Sequence, residues 1–147
     1  MSVTIAAINS GILATLATAA IDDLTTQDYD AISENINDLP LLRVYFDHGQ
    51  SDYTDAVDRT TFGKGVVQTH LVFFVDIWAA QRSFLSENMA AVITVTDAIW
   101  DVLDAQITSF FGVAAIKEFH FNAQRVRTEE GNNKYLGTRF TLEIYVF

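Results

Sequence analysis

From Tyr135 to Val146, apolar and polar positions alternate. Phe140, Leu142, Ile144 and Val146 fall on one side, and Arg139, Thr141, Glu143 and Tyr145 on the other. A repeat of two marks a half-buried strand. Its expected partner is Ile116 to Arg127, across a turn at Glu129-Glu130-Gly131-Asn132-Asn133, which makes a long closing hairpin. Upstream, Val66 to Ala79 predicts a strand that is apolar on both sides. Leu71, Phe73, Val75, Ile77 and Ala79 make one face; His70, Val72, Phe74, Asp76 and Trp78 make the other. Two greasy faces call for a second layer or a neighbouring subunit. Pro40, the only proline, opens a further strand over Leu41 to Phe46.

Steps of three and four take over elsewhere. Ile5, Ile8, Ile12, Leu13 and Leu16 predict a helix from Thr4 to Ala20, weakened at Gly11 by about 1 kcal/mol relative to alanine. Thr25 to Asn37 holds a short second helix with Thr26 or Asp28 as its cap. Ser86 caps a helix from Glu87 to Ser109. Met89, Val92, Val95, Ile99, Val102, Leu103 and Ile107 share its apolar arc, while Asp97, Asp101 and Asp104 gather on the far side. Asp47 to Gly65 reads as a long loop, and Gly112 breaks the chain before the last hairpin. The order α-(α)-β-β-α-β-β predicts an α+β fold: an antiparallel four-stranded sheet of two hairpins packed with two main helices.

At 147 residues, half of them apolar and eleven of them Phe, the chain is expected to be one domain spanning residues 1–147 with a substantial core. The absence of cysteine excludes disulfides and thiolate metal sites and leaves the compartment open. Val3 to Ile21 lacks a basic flank and is diluted by Thr, Ser and Asn, so neither a signal peptide nor a membrane span is expected there. The net charge of −10 is uneven. Residues 1–42 hold six acids and no Lys or Arg, residues 43–104 nine acids and four bases, and residues 105–147 four acids and five bases. Such a chain neutralises phosphates poorly, yet a negative wall repels DNA and lets it slide past.

Reactive constellations are weak. His48, His70 and His120 lack metal-ligand spacing, so no metal or other cofactor is expected. Asp52, Asp55 and Asp58 are spaced by three, unlike a calcium loop. Gly63-Lys64-Gly65 precedes a strand and does not make a phosphate loop; no nucleophile elbow exists. Asp97, Asp101 and Asp104 would serve as acids and bases only if buried, and their wheel position favours solvent, a subunit interface or a channel wall. Catalysis is therefore not expected. Arg125, Arg127, Lys134 and Arg139 stand beside Glu129 and Glu130 on the closing hairpin. Charges there either protect a sheet edge or form a rim that meets the acidic N-terminal part of another copy.

The arrangement resembles the tail terminator proteins of long-tailed bacteriophages along the whole chain. The likeness lies in an N-terminal helix without basic residues, the strand Leu39-Pro40-Leu41-Leu42-Arg43-Val44-Tyr45-Phe46, a long loop, the apolar strand from Thr69 to Trp78, an amphipathic helix and the hairpin ending at Tyr135 to Val146. The resemblance implies a virion structural protein, present in the host cytoplasm during assembly. It implies a homo-oligomeric ring, commonly a hexamer, that caps the tail tube, ends its polymerisation and joins it to the head connector. DNA passes through as cargo, and no membrane is involved. On that reading Val72, Phe74 and Trp78 lie at a subunit boundary, and Arg125, Arg127, Glu129, Glu130, Lys134 and Arg139 contact subunits or partners. Asp52, Asp55, Asp58, Asp97, Asp101 and Asp104 line the DNA channel. Another phage neck or head-completion protein, or a small-molecule-binding α+β domain with a pocket between helix and sheet, are the alternatives.

Overall fold

A computed structural model describes residues 4–27, 39–54, 66–81, 89–130 and 133–146. The first helix, α1, spans Ile5–Leu16. Thr4 caps it by accepting from the Ala7 N–H at 3.1 Å. It stops before the expected Ala20, where Ala17 and Ala19 donate back to Leu13 and Leu16 and the Thr18 hydroxyl donates to the Thr15 carbonyl. The strands are β1 Thr25–Gln27, β2 Leu41–Thr54, β3 Val66–Gln81, β4 Ile116–Glu130 and β5 Asn133–Val146. The long helix α2 spans Met89–Ser109. A single 3-10 turn, Phe110–Gly112, ends it with Phe110 and Phe111 in the left-handed region. That costs about 1–3 kcal/mol per residue. It is sustained because Phe111 is buried against Phe119, 5.1 Å between centroids, and its N–H donates to the Gln106 side chain at 2.9 Å.

Among the described residues the fold is α+β with two α-helices, but the sheet differs from the expected antiparallel four-stranded arrangement. Its described strands number five, in the order β1-β2-β3-β5-β4, and β1 runs parallel to β2. Thr25 to Gln27, expected to begin a helix, instead pairs with Leu41 to Arg43. Three residues are too few to show a period, and the pairing is fixed from outside the segment. The Thr25 N–H donates to the Pro40 carbonyl at 3.0 Å, and Arg43 Nε donates to Gln27 Oε1 at 3.0 Å. The remainder of that expected helix, residues 28–37, lies outside the described residues. Nor does β2 stop at Phe46. Its ladder with β3 continues to Thr54 beyond a bulge between Phe46 and His48. The bulge resets the alternation, which disguised Asp47 to Thr54 as loop. Residues 55–65 of the expected loop lie outside the described residues.

Both helices pack on one face of the sheet. Ile8, Ile12 and Leu16 of α1 and Ile99 and Leu103 of α2 join Leu42, Val44, Phe73, Val75, Phe140, Leu142 and Ile144 in one core. Each such side chain contributes about 1.5–3 kcal/mol on full burial. The buried Asn9 fixes the position of α1 by donating to the Val44 carbonyl at 3.4 Å, while Gly11 on its other side faces Val113 and Phe111. α1 therefore lies over β2. α2 lies toward the opposite end of the sheet, where Trp100 meets Phe121 at 4.8 Å and the Thr96 hydroxyl pairs with that of Thr138 at 2.7 Å.

Candidate functional site

The face of the sheet away from the helices carries a polar network set into apolar side chains. Asp76 is only 3 % exposed. Arg139 Nε donates to its Oδ1 at 2.8 Å, and Nη2 to its Oδ2 at 3.0 Å. The Tyr45 hydroxyl donates to Asp76 Oδ2 at 2.9 Å and accepts from Arg139 Nη2 at 3.0 Å. The ladders impose this meeting, since Asp76 is the register partner of Arg139 and of Arg43, and Tyr45 of the adjacent Phe74. The guanidinium also lies 4.5 Å from the centroid of Phe74, a cation–π contact. Burial, reinforced by the Asp76 carboxylate, pushes the Tyr45 phenol from 10.0 up to about 12. The hydrogen bond to Asp76 raises the Arg139 pKa above its ordinary value. A bidentate pair with every acceptor engaged organises the sheet surface and presents no free acid or base.

The expected boundary residues sit on this face, and no described helix covers it. Val72 and Trp78 are nevertheless 4 % and 6 % exposed, and only Phe74 is half-buried. Trp78 packs with Leu41 and Tyr135 in a small second cluster. Its ring crosses Gly137, where a Cβ would strike the Ile77 carbonyl and lie 2.9 Å from the indole. Little of Val72 or Trp78 is left for a neighbour to cover, and Arg139 is committed to Asp76. Arg125, Arg127 and Lys134 are exposed along the last hairpin. Glu129 and Glu130 end β4 opposite Lys134 and Asn133. Asp97, Asp101 and Asp104 are exposed on α2. Asp52 pairs in β2 with Gln68 by register; Asp55 and Asp58 lie outside the described residues.

The histidines do not converge on a metal. His70 stacks on Tyr145 at 4.4 Å with Nε2 3.5 Å from Glu143, and His120 lies 3.0 Å from Glu118. Among the described residues no group of three His, Cys, Asp or Glu side chains is placed to hold an ion. No described helix is long and apolar enough to cross a membrane.

The surface most in need of a partner lies at the two ends of the sheet. At one end, β4 has no strand on its outer side among the described residues. Beside it, α2 exposes Ile93 (55 %), Trp100 (43 %) and Ile107 (44 %), one stripe at intervals of seven. Met89, Val92, Ile93 and Thr96 line an open groove against Ala123, Arg125 and Thr138 of β4 and β5. At the other end, β1 covers only Leu41 to Arg43, leaving β2 beyond Val44 without a strand on its outer side among the described residues. Sequence reasoning placed Ile107 in the core arc and passed over Ile93 and Trp100. The signal was present: an apolar arc this wide exceeds what one sheet face can bury. No protein-family model matches the chain, and no curated protein matches it in sequence.

Proposed function

We propose that this chain is a non-enzymatic virion structural subunit of the tail-terminator kind. It forms a ring that caps the tail tube, ends its polymerisation and joins it to the head connector, with DNA passing through as cargo. The observation that carries the proposal is the pair of unlike sheet ends, β4 and β2 past Val44, neither of which has a further strand beside it among the described residues. A surface that pairs with its own kind gives a closed dimer, whereas two different complementary surfaces give head-to-tail contact, which closes into a ring when the rotation between copies divides the circle and grows into a filament when it does not. The exposed acids of α2, Asp97, Asp101 and Asp104, suit a surface that DNA must pass without binding.

The test is co-expression with the tail-tube protein of the same genome, followed by electron microscopy. Rings at one end of tubes whose lengths narrow to a single value are expected. A chain that stays monomeric and leaves tube length unchanged contradicts the proposal. The groove between α2 and β4 favours a second reading, a small apolar ligand held there. A ligand-dependent rise in Tm abolished by Ile93→Asp, with the chain monomeric throughout, would select that reading.

A further inference from the structure

Resting on the head-to-tail reading, we infer that the seam is built by β4 and α2 of one copy against β2 and α1 of the next, as one sheet continued between subunits. Strand polarity permits it. Three successive antiparallel steps, β2 to β3, β3 to β5 and β5 to β4, leave β4 antiparallel to β2. A second copy related by rotation about a ring axis therefore presents β2 antiparallel to the side of β4 that has no strand among the described residues, a pairing that extends both ladders.

Charge agrees. Over the spans that would pair, residues 118–127 carry Arg125 and Arg127 against Glu118, whereas residues 45–54 carry Asp47 and Asp52 and no Lys or Arg; Glu129 and Glu130, which balance β4 overall, and Arg43 of β2 fall outside those spans. Asn9 occupies the Val44 carbonyl, so the docking edge begins beyond it. With Tyr45–Thr54 laid against Glu118–Arg127, Asp47 falls opposite Arg125 and Asp52 opposite His120. The stripe of α2 then meets α1 of the next copy. α1 has no charged residue at all, yet Ala6 and Ser10 are exposed and Leu13 is half-buried, on the same side of the helix as Asn9. A solvated helix face ordinarily carries charge; an uncharged one suits burial. Trp100 and Ile93 would lie over these small side chains. Two-fold pairing of β4 with its own copy fits worse, because Asp97 and Asp104, which border the stripe, would face the same acids in the partner.

The chain has no cysteine, so engineered thiols report cleanly. His48→Cys and Gln124→Cys occupy exposed positions that this alignment sets opposite each other. The two single variants are mixed and treated with a short bis-maleimide. A covalent dimer from the mixture, with none from either variant alone, is expected. Self-linking of the Gln124→Cys protein, an assembly that yields no mixed product, or a chain that never associates each overturns the seam. Trp100→Ser and Ile93→Ser, each with unchanged far-UV circular dichroism, should weaken self-association about tenfold, the loss of one buried anchor; an unchanged association constant in both overturns the role of the stripe. The two ideas fail separately. A mixed dimer whose assembly does not cap tubes retains the seam and removes the terminator reading, and capping without the mixed dimer does the reverse.

Discussion

Asp76 lies nearly inaccessible in the otherwise apolar run of residues 71–80, and its charge is tolerated because Arg139 and Tyr45 meet it directly. Replacing Arg139 with Leu leaves that carboxylate unpaired. The expected loss is about 3 kcal/mol, at the lower end for a broken buried pair because Arg139 is itself 31 % exposed. The urea midpoint measures it, and Asp76→Leu in the same chain should recover most of the loss. The Tyr45 phenol gives a pH signature. Its protonated form is favoured by the fold, so its stabilising contribution is complete below pH 10.0 and disappears as pH rises through about 12. Ultraviolet titration should show a last phase near pH 12 that Tyr45→Phe removes; an unchanged curve contradicts the network. Gly137→Ala should destabilise by about 1–3 kcal/mol, since its methyl collides with the Ile77 carbonyl and the Trp78 ring. This residue-level order was partly legible. A lone acid between Val75 and Ile77 demands a partner, but only register names Arg139 as that partner.

The elements differ in how far local sequence determined them. β5 was readable because it alternates apolar and polar positions over a long run, β3 because it is a long apolar run rich in β-branched and aromatic residues, and α2 because its core residues repeat at helical spacing. β1 was not, because its three residues take their conformation from Pro40 and Arg43. The second half of β2 was hidden by polar residues and by the bulge after Phe46. The candidate surface was least legible, since Ile93 and Trp100 reveal their exposure only once α2 is docked. Truncations separate the two kinds of apolar residue. Leu103→Ala should cost about 2–5 kcal/mol, as it opens a cavity in a filled core. Ile107→Ala, at a site already 44 % exposed, should cost well under half as much. Equal losses would mean that Ile107 belongs to the core of the isolated chain.

Among the described residues the molecule is a sheet covered on one face by two helices and organised on the other by the Arg139–Asp76–Tyr45 network, with no further strand beyond β4 or beside β2 past Val44. β4 as a whole is balanced, with Lys117, Arg125 and Arg127 against Glu118, Glu129 and Glu130, but its residues 118–127 are net basic and residues 45–54 of β2 are acidic, and the two strands are compatible in direction. On the proposed seam, attraction between Asp47 of one copy and Arg125 of the next would weaken as salt screens it. Association should therefore fall between low and high ionic strength, and Arg125→Glu with Arg127→Glu should abolish that dependence. The central claim is head-to-tail closure, and native mass spectrometry over a concentration series, paired with averaged electron micrographs, tests it most directly. A single closed species of identical copies around one rotational axis is the predicted result. A monomer at every concentration, or a two-fold dimer that grows no further, would contradict it.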